Sequence, residues 1–186
     1  MRNIPINFMV NLNSNPNRNL SDSIRQLKNN SAGFVNSWQS NELDEAQETS
    51  QEAFKHLDHI QNEFLRHRDD KSRLPNWISS PFHTTLTQPV GKIIKNLQQS
   101  DAQWFAGLSA GNGSLIVPSQ QQPVPLSLEL ALNKMKHRDI LRVNFVISPN
   151  HILYVHTNGV KNIPDSLSAI NISDFCKECK NLLQFI

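Results

Sequence analysis

Several features are scarce in this chain, and each scarcity removes a class of function. No apolar stretch approaches the ~20 residues that span a bilayer, so a membrane-crossing helix is not expected. The N-terminal run Ile4, Ile6, Phe8, Met9 and Val10 is interrupted by Pro5 and Asn7, too short and broken for a secretory signal. Only two cysteines occur, Cys176 and Cys179, which excludes a disulfide scaffold and fits a reducing compartment. Charge is low as well: 18 Lys and Arg against 16 Asp and Glu, with no block of one sign. A dense phosphate footprint needs a clustered basic face, so nucleic acid is not an expected partner. The nearest approach, Arg66, Arg68, Lys71 and Arg73, is broken by Asp69 and Asp70 and reads as a solvated helix end. These absences together predict a cytosolic protein that engages neither membrane nor nucleic acid.

What fills the space is uncharged polarity. The chain holds 22 Asn and 13 Gln, one more together than its 34 charged residues, and only 38% of it is hydrophobic. A modest core follows, with part of the 186 residues left outside it. Residues 1–19 contain seven Asn and no Asp or Glu, and read as a flexible polar leader. Such an acid-free leader resembles the unstructured export signals of bacterial type III secreted effectors, which implies delivery into a host cytosol.

The most organised pattern is a heptad series with 3-4 spacing: Leu43, Ala46, Ser50, Ala53, Leu57, Ile60, Phe64. A shorter series, Leu20, Ile24, Leu27, Ser31, Phe34 and Trp38, precedes it, with Ser40 and Asn41 allowing a turn between. The spacing predicts antiparallel helices over about 22–38 and 42–67, a hairpin occupying residues 20–68. Gly33 predicts a bend or an end in the first of them. Residues 69–88, with Pro75 and Pro81, read as a linker anchored by Trp77 and Phe82.

Residues 89–186 read as an α+β module. Val90, Ile93, Ile94 and Leu97 suggest a third helix after Pro89, and Leu126, Leu130, Leu132 and Met135 a fourth. Short strands are expected at Trp104–Leu108 and Ser114–Val117. The clearest tertiary signal is a hairpin of Leu141–Ser148 and His151–Thr157 about Pro149-Asn150. A last helix capped by Ser173 runs to Leu183 and buries Phe175, Cys176 and Cys179. The expected fold class is therefore α+β: an N-terminal helical hairpin, then a small antiparallel sheet packed with two or three helices.

Chemical motifs are sparse. Gly107-Leu108-Ser109-Ala110-Gly111 matches the nucleophile elbow G-x-S-x-G, and Ser109, Asp139, His156 follow hydrolase order. The parallel strands upstream and the helix downstream that an elbow needs are missing from the pattern, so a β-turn fits better. Cys176 with His156 or His151 could form a Cys/His pair, Cys176 lying near the start of its helix. Cys176-x-x-Cys179 and the stripe His56, His59, His67 supply zinc-ligand types, but the two sets lie over a hundred residues apart. No metal or other cofactor is expected. Trp38-Gln39-Ser40-Asn41-Glu42 matches W-x-x-x-E, and so resembles a family of bacterial effectors that act as exchange factors for small host GTPases. That resemblance implies a V-shaped all-helical body braced by Trp38 and Glu42, from which the C-terminal β-hairpin departs.

The reading that follows is a non-enzymatic interaction protein: an adaptor, a scaffold or a binding-type effector. Its helical arm, through Leu43, Leu57, Ile60, Phe64 and Trp38, would meet a protein partner or a second copy. The alternative is a small secreted effector with Cys/His or Ser/His hydrolase activity, or with exchange-factor activity.

Overall fold

A computed structural model describes residues 16–97, 100–101, 122–158 and 164–186. The first helix, α1, spans Pro16–Gln39, and the second, α2, spans Leu43–Lys71. Between them Asn41 takes the left-handed backbone (φ 62°), which Asn tolerates better than other side chains. The helices form the antiparallel pair that the heptad spacing predicts. In α2 the charges suit the helix dipole, with Asp44 and Glu45 in the first turn and Arg68 and Lys71 in the last.

Two local expectations fail here. The first helix begins at Pro16, inside the stretch read as leader and ahead of the start expected near residue 22. It also runs unbroken through Gly33, because Gly33 faces α2: a Cβ there would lie 3.3 Å from Thr49 Cγ2. Close helix approach explains that glycine, not a bend.

After α2 come three linked turns and a short helix, α3 (Pro81–Leu86), capped by the Ser80 side chain. The chain then enters the sheet: β1 (Pro89–Lys95), β2 (Val124–Ser127), β3 (Arg138–Val146), β4 (Ile152–Asn158) and β5 (Pro164–Asn171). Helix α4 (Leu128–Lys136) lies between β2 and β3, and α5 (Ile172–Leu182) follows β5. The order across the sheet is β2-β1-β5-β4-β3 with every pair antiparallel.

The register gives the sheet two different faces. Val124, Ile93, Ser168 and Val155 align in one row, and Ile94, Leu167 and His156 align in the next. Side chains alternate along a strand, so the two rows point in opposite directions. The first face meets the helices: Ile93, Leu126, Val155 and Ile170 share one core with Leu27 of α1, Ile60 and Phe64 of α2, Leu132 of α4 and Phe175 of α5. The second face carries a smaller cluster, Ile94, Leu97, Tyr154 and Leu167, with no helical member among the described residues.

The fold is α+β, as the sequence predicts, and the β3–β4 hairpin and the last helix stand where expected. The predicted third helix is instead β1. Burial on both faces of that strand places Ile93 and Ile94 on opposite sides, and the same spacing imitates a helical stripe. Strand β5, central in the sheet, has no strand-like reading in Pro164–Asn171. The fourth helix starts at Leu128, after a short strand, and the last is capped by Asn171, which accepts from the Ser173 and Asp174 amides. Among the described residues no helix is long and apolar enough to cross a membrane. The expected strands at 104–108 and 114–117 lie outside the described residues.

Candidate functional site

Cys176 and Cys179 sit on the inner side of α5, within the main core. Burial pushes the Cys176 thiol up to about 12, with Lys28 pulling weakly the other way. Burial raises Cys179 well above the thiol range, and Cys176 and Glu178 add to it. Both remain protonated thiols near neutrality, and the thiolate is the nucleophile.

His156 is fully buried in β4. It alternates with Val155, which faces the helices, so it points to the other side of the sheet together with Tyr154 and Leu167. The sheet therefore stands between Cys176 and His156, and that pairing is not brought together. Ser109 lies outside the described residues. His151 is engaged with Ser31, its Nδ1 2.8 Å from Ser31 Oγ.

The histidine stripe on α2 faces α1. Ser23 Oγ lies 2.8 Å from His59 Nδ1 and 3.4 Å from His56 Nδ1, while partial burial lowers the pKa of His67. Among the described residues no three His, Cys, Asp or Glu side chains come together to hold a metal ion.

The heptad face divides in two. Leu57, Ile60 and Phe64 are core residues, 2% exposed or less, packed with α1, α4 and the sheet. Expected from the sequence to meet a partner, these three instead have their apolar surface removed from water within the chain. At the other end of the stripe Leu43 is 52% exposed. Trp38, one turn before the interhelical turn, is half-buried. Glu42 is the residue before α2, its amide donating to the Ser37 carbonyl at 2.8 Å, so the W-x-x-x-E residues bracket the helical turn. The all-helical body implied by that resemblance is replaced by helices on a five-stranded sheet.

This outer end of the arm gathers the features most suited to recognition. Phe34 and Trp38 are one turn apart on α1, with ring centroids 6.0 Å apart. Phe145 of β3 meets both edge-on, at 4.8 Å and 4.9 Å. His151, just before β4, lies flat on Phe34 at 5.2 Å. Such offset and edge-to-face pairs contribute about 0.5–1.5 kcal/mol each beyond area burial.

Charge around this cluster is one-sided. From Asn29 to Phe54 the chain carries Glu42, Asp44, Glu45, Glu48 and Glu52 and no Lys or Arg. Ser37 donates to Glu45 at 3.4 Å, and Lys55, one turn further on, pairs with Glu52 and lowers its carboxyl pKa. All five acids are exposed.

Of this surface, sequence reading found Trp38 and Leu43 and missed Phe145 and His151, whose contact with α1 joins positions over a hundred residues apart. The acidic run was visible in the sequence, as a gap in Lys and Arg between Lys28 and Lys55. No protein-family model, curated protein or solved structure matches this chain.

Proposed function

We propose that this chain acts by binding another protein, without catalysis, and that the contact is the outer end of the α1–α2 arm. One observation carries the reading: the heptad stripe continues a turn past the part consumed by the core, leaving Leu43 exposed at the same end of the arm as half-buried Trp38 and a run of exposed acids. Exposed apolar anchors with a polar surround are the usual anatomy of an interface. The partner is a different protein or a second copy, and sedimentation velocity of the purified chain separates the two. The cytosol is the site of action in this reading, and the acid-free leader supports export by a dedicated bacterial system as the route there. The hydrolase alternative has less support, since burial keeps both thiols protonated and the Cys176 thiol and His156 imidazole face opposite sides of the sheet.

The test is a photo-crosslinking amino acid placed at Leu43, with a control at exposed Lys177 on α5. A discrete adduct from position 43, absent from 177 and lost in Glu45→Lys/Glu48→Lys, supports the arm end. Equal adducts from both positions, or none from 43, refute it.

A further inference from the structure

The arm is fastened to the sheet, at its outer end, by a titratable side chain in an apolar seat. The imidazole of His151 lies 5.2 Å from the Phe34 ring at an interplanar angle of 10°, with Phe145 edge-on at 6.3 Å. Its Nδ1 is 2.8 Å from Ser31 Oγ, a bond that links the residue just before β4 to α1. Its carbonyl accepts from the Ile172 amide at 3.1 Å, tying the same residue to the start of α5. The ring thus depends on α1 for its packing while its backbone is held by the sheet and α5.

We propose that His151 is a proton-released latch: neutral, it holds the end of α1 against the β3–β4 hairpin, and protonated, it leaves Phe34 and frees the arm end. The side chains seen against the ring are uncharged: Ser31 and Phe34 of α1 and Phe145 of β3. Lys28 on α1 and Asp174 and Lys177 on α5 are the ionised residues nearest in sequence on those helices, and none of them shifts His151. A cation over Phe34 gains some attraction from the ring face. Burial outweighs it, lowering the His151 pKa from 6.5 to about 4, with a Ser31 backbone hydrogen bond working the other way.

The direction follows from linkage. Above pH 6.5 the ring is neutral both seated and released, and protons do not bias the latch. As pH falls from 6.5 to about 4, only the released ring takes the proton, so release becomes progressively favoured. Below about 4 both forms are protonated and the bias is complete. That difference corresponds to about a 300-fold rise in the released-to-seated ratio, and the device cannot deliver more.

The experiment uses the full chain, titrated from pH 7.5 to 3.5, with two readouts. The His151 Cε1–H proton resonance, assigned by its loss in His151→Gln, gives the titration directly. Emission of Trp38, isolated in Trp77→Phe/Trp104→Phe, reports opening of the cluster, and far-UV circular dichroism reports the fold. The expected result is a His151 midpoint below 5.5 and a red shift of Trp38 over the same range with circular dichroism retained. That red shift is expected to be absent in His151→Gln and in His151→Phe, either of which suffices if the other does not fold. A midpoint near 6.5 overturns the latch, as does a Trp38 shift that persists without the imidazole. Loss of circular dichroism together with the Trp38 shift also overturns it, because acid then unfolds the whole chain.

Discussion

Two glycines give a paired test of the packing, because the same one-methyl addition should act in opposite directions. Gly91 lies in β1 beside β5, and a Cβ there would stand 2.0 Å from the Ala169 carbonyl oxygen and 3.1 Å from Ile170 Cα. Both obstacles are backbone, so no rotamer relieves them. Restoring an ordinary contact requires β1 and β5 to part by about 1.4 Å or more within the sheet, straining ladder bonds worth about 1 kcal/mol each. Overpacking typically costs about 1–3 kcal/mol, and an immovable neighbour places Gly91→Ala at the upper end.

At Gly33 the obstacle is the Thr49 methyl at 3.3 Å, which needs to give only a few tenths of an ångström. Alanine is favoured over glycine in a helix interior by about 1 kcal/mol. Gly33→Ala should therefore be neutral to mildly stabilising. For a chain of this length 1 kcal/mol moves the melting temperature by about 2–4 °C. Thermal melts followed by circular dichroism should show Gly91→Ala falling by about 6–12 °C on that scale, and Gly33→Ala rising by about 0–4 °C. If Gly91→Ala melts with the parent, or Gly33→Ala falls as far as Gly91→Ala, the strand register or the helix spacing described here is wrong.

Three further outcomes follow from burial. Substituting Phe64 of α2, wholly buried in the core shared with α1, α4 and the sheet, by Ala should cost about 3–5 kcal/mol of stability in urea titrations, and Leu57→Asp should fail to fold rather than merely lose a partner. Trp38→Ala removes edge contacts from a half-buried ring and should lose only about 1–2 kcal/mol, leaving a folded chain with altered binding; a loss as large as that of Phe64→Ala would place Trp38 in the core. Cys176 and Cys179 should both resist a thiol-specific disulfide reagent at pH 8 in the native chain and both react in 6 M guanidinium; rapid native labelling of Cys176 would reopen the catalytic reading.

The sequence made some elements legible because one physical rule governed them. The α1–α2 pair follows from 3-4 spacing, and the β3–β4 hairpin from β-branched and aromatic runs around Pro149-Asn150. Strand β1 was unreadable because two-face burial and helical amphipathicity produce the same spacing in Val90, Ile93, Ile94 and Leu97. Strand β5 was hidden by its serines, Ser166 and Ser168, which composition assigns to loops. In the sheet Ser166 lies 3.0 Å from Thr157 Oγ1 on β4, so its hydroxyl is buried with a partner. The aromatic cluster was half legible: Phe34 and Trp38 share a helix face, but nothing local ties them to Phe145 and His151.

The division of the heptad stripe bears most directly on function. A run of apolar residues at constant spacing does not say what it packs against, and here the answer changes along its length. From Leu57 onward the sheet, α1 and α4 lie on it, and those residues explain stability. At Leu43 nothing among the described core residues does, and the aromatic cluster and the five acids stand at that same end. The arm is therefore not a free coiled coil awaiting a partner, because most of its apolar face already has one. Under the binding reading proposed above, the contact reduces to the last turn of α1 and the first turns of α2, small enough that a partner would have to add its own charge to the apolar contact. A surface of that kind binds with strong dependence on salt, and that dependence should vanish with Glu45→Lys/Glu48→Lys while the fold remains.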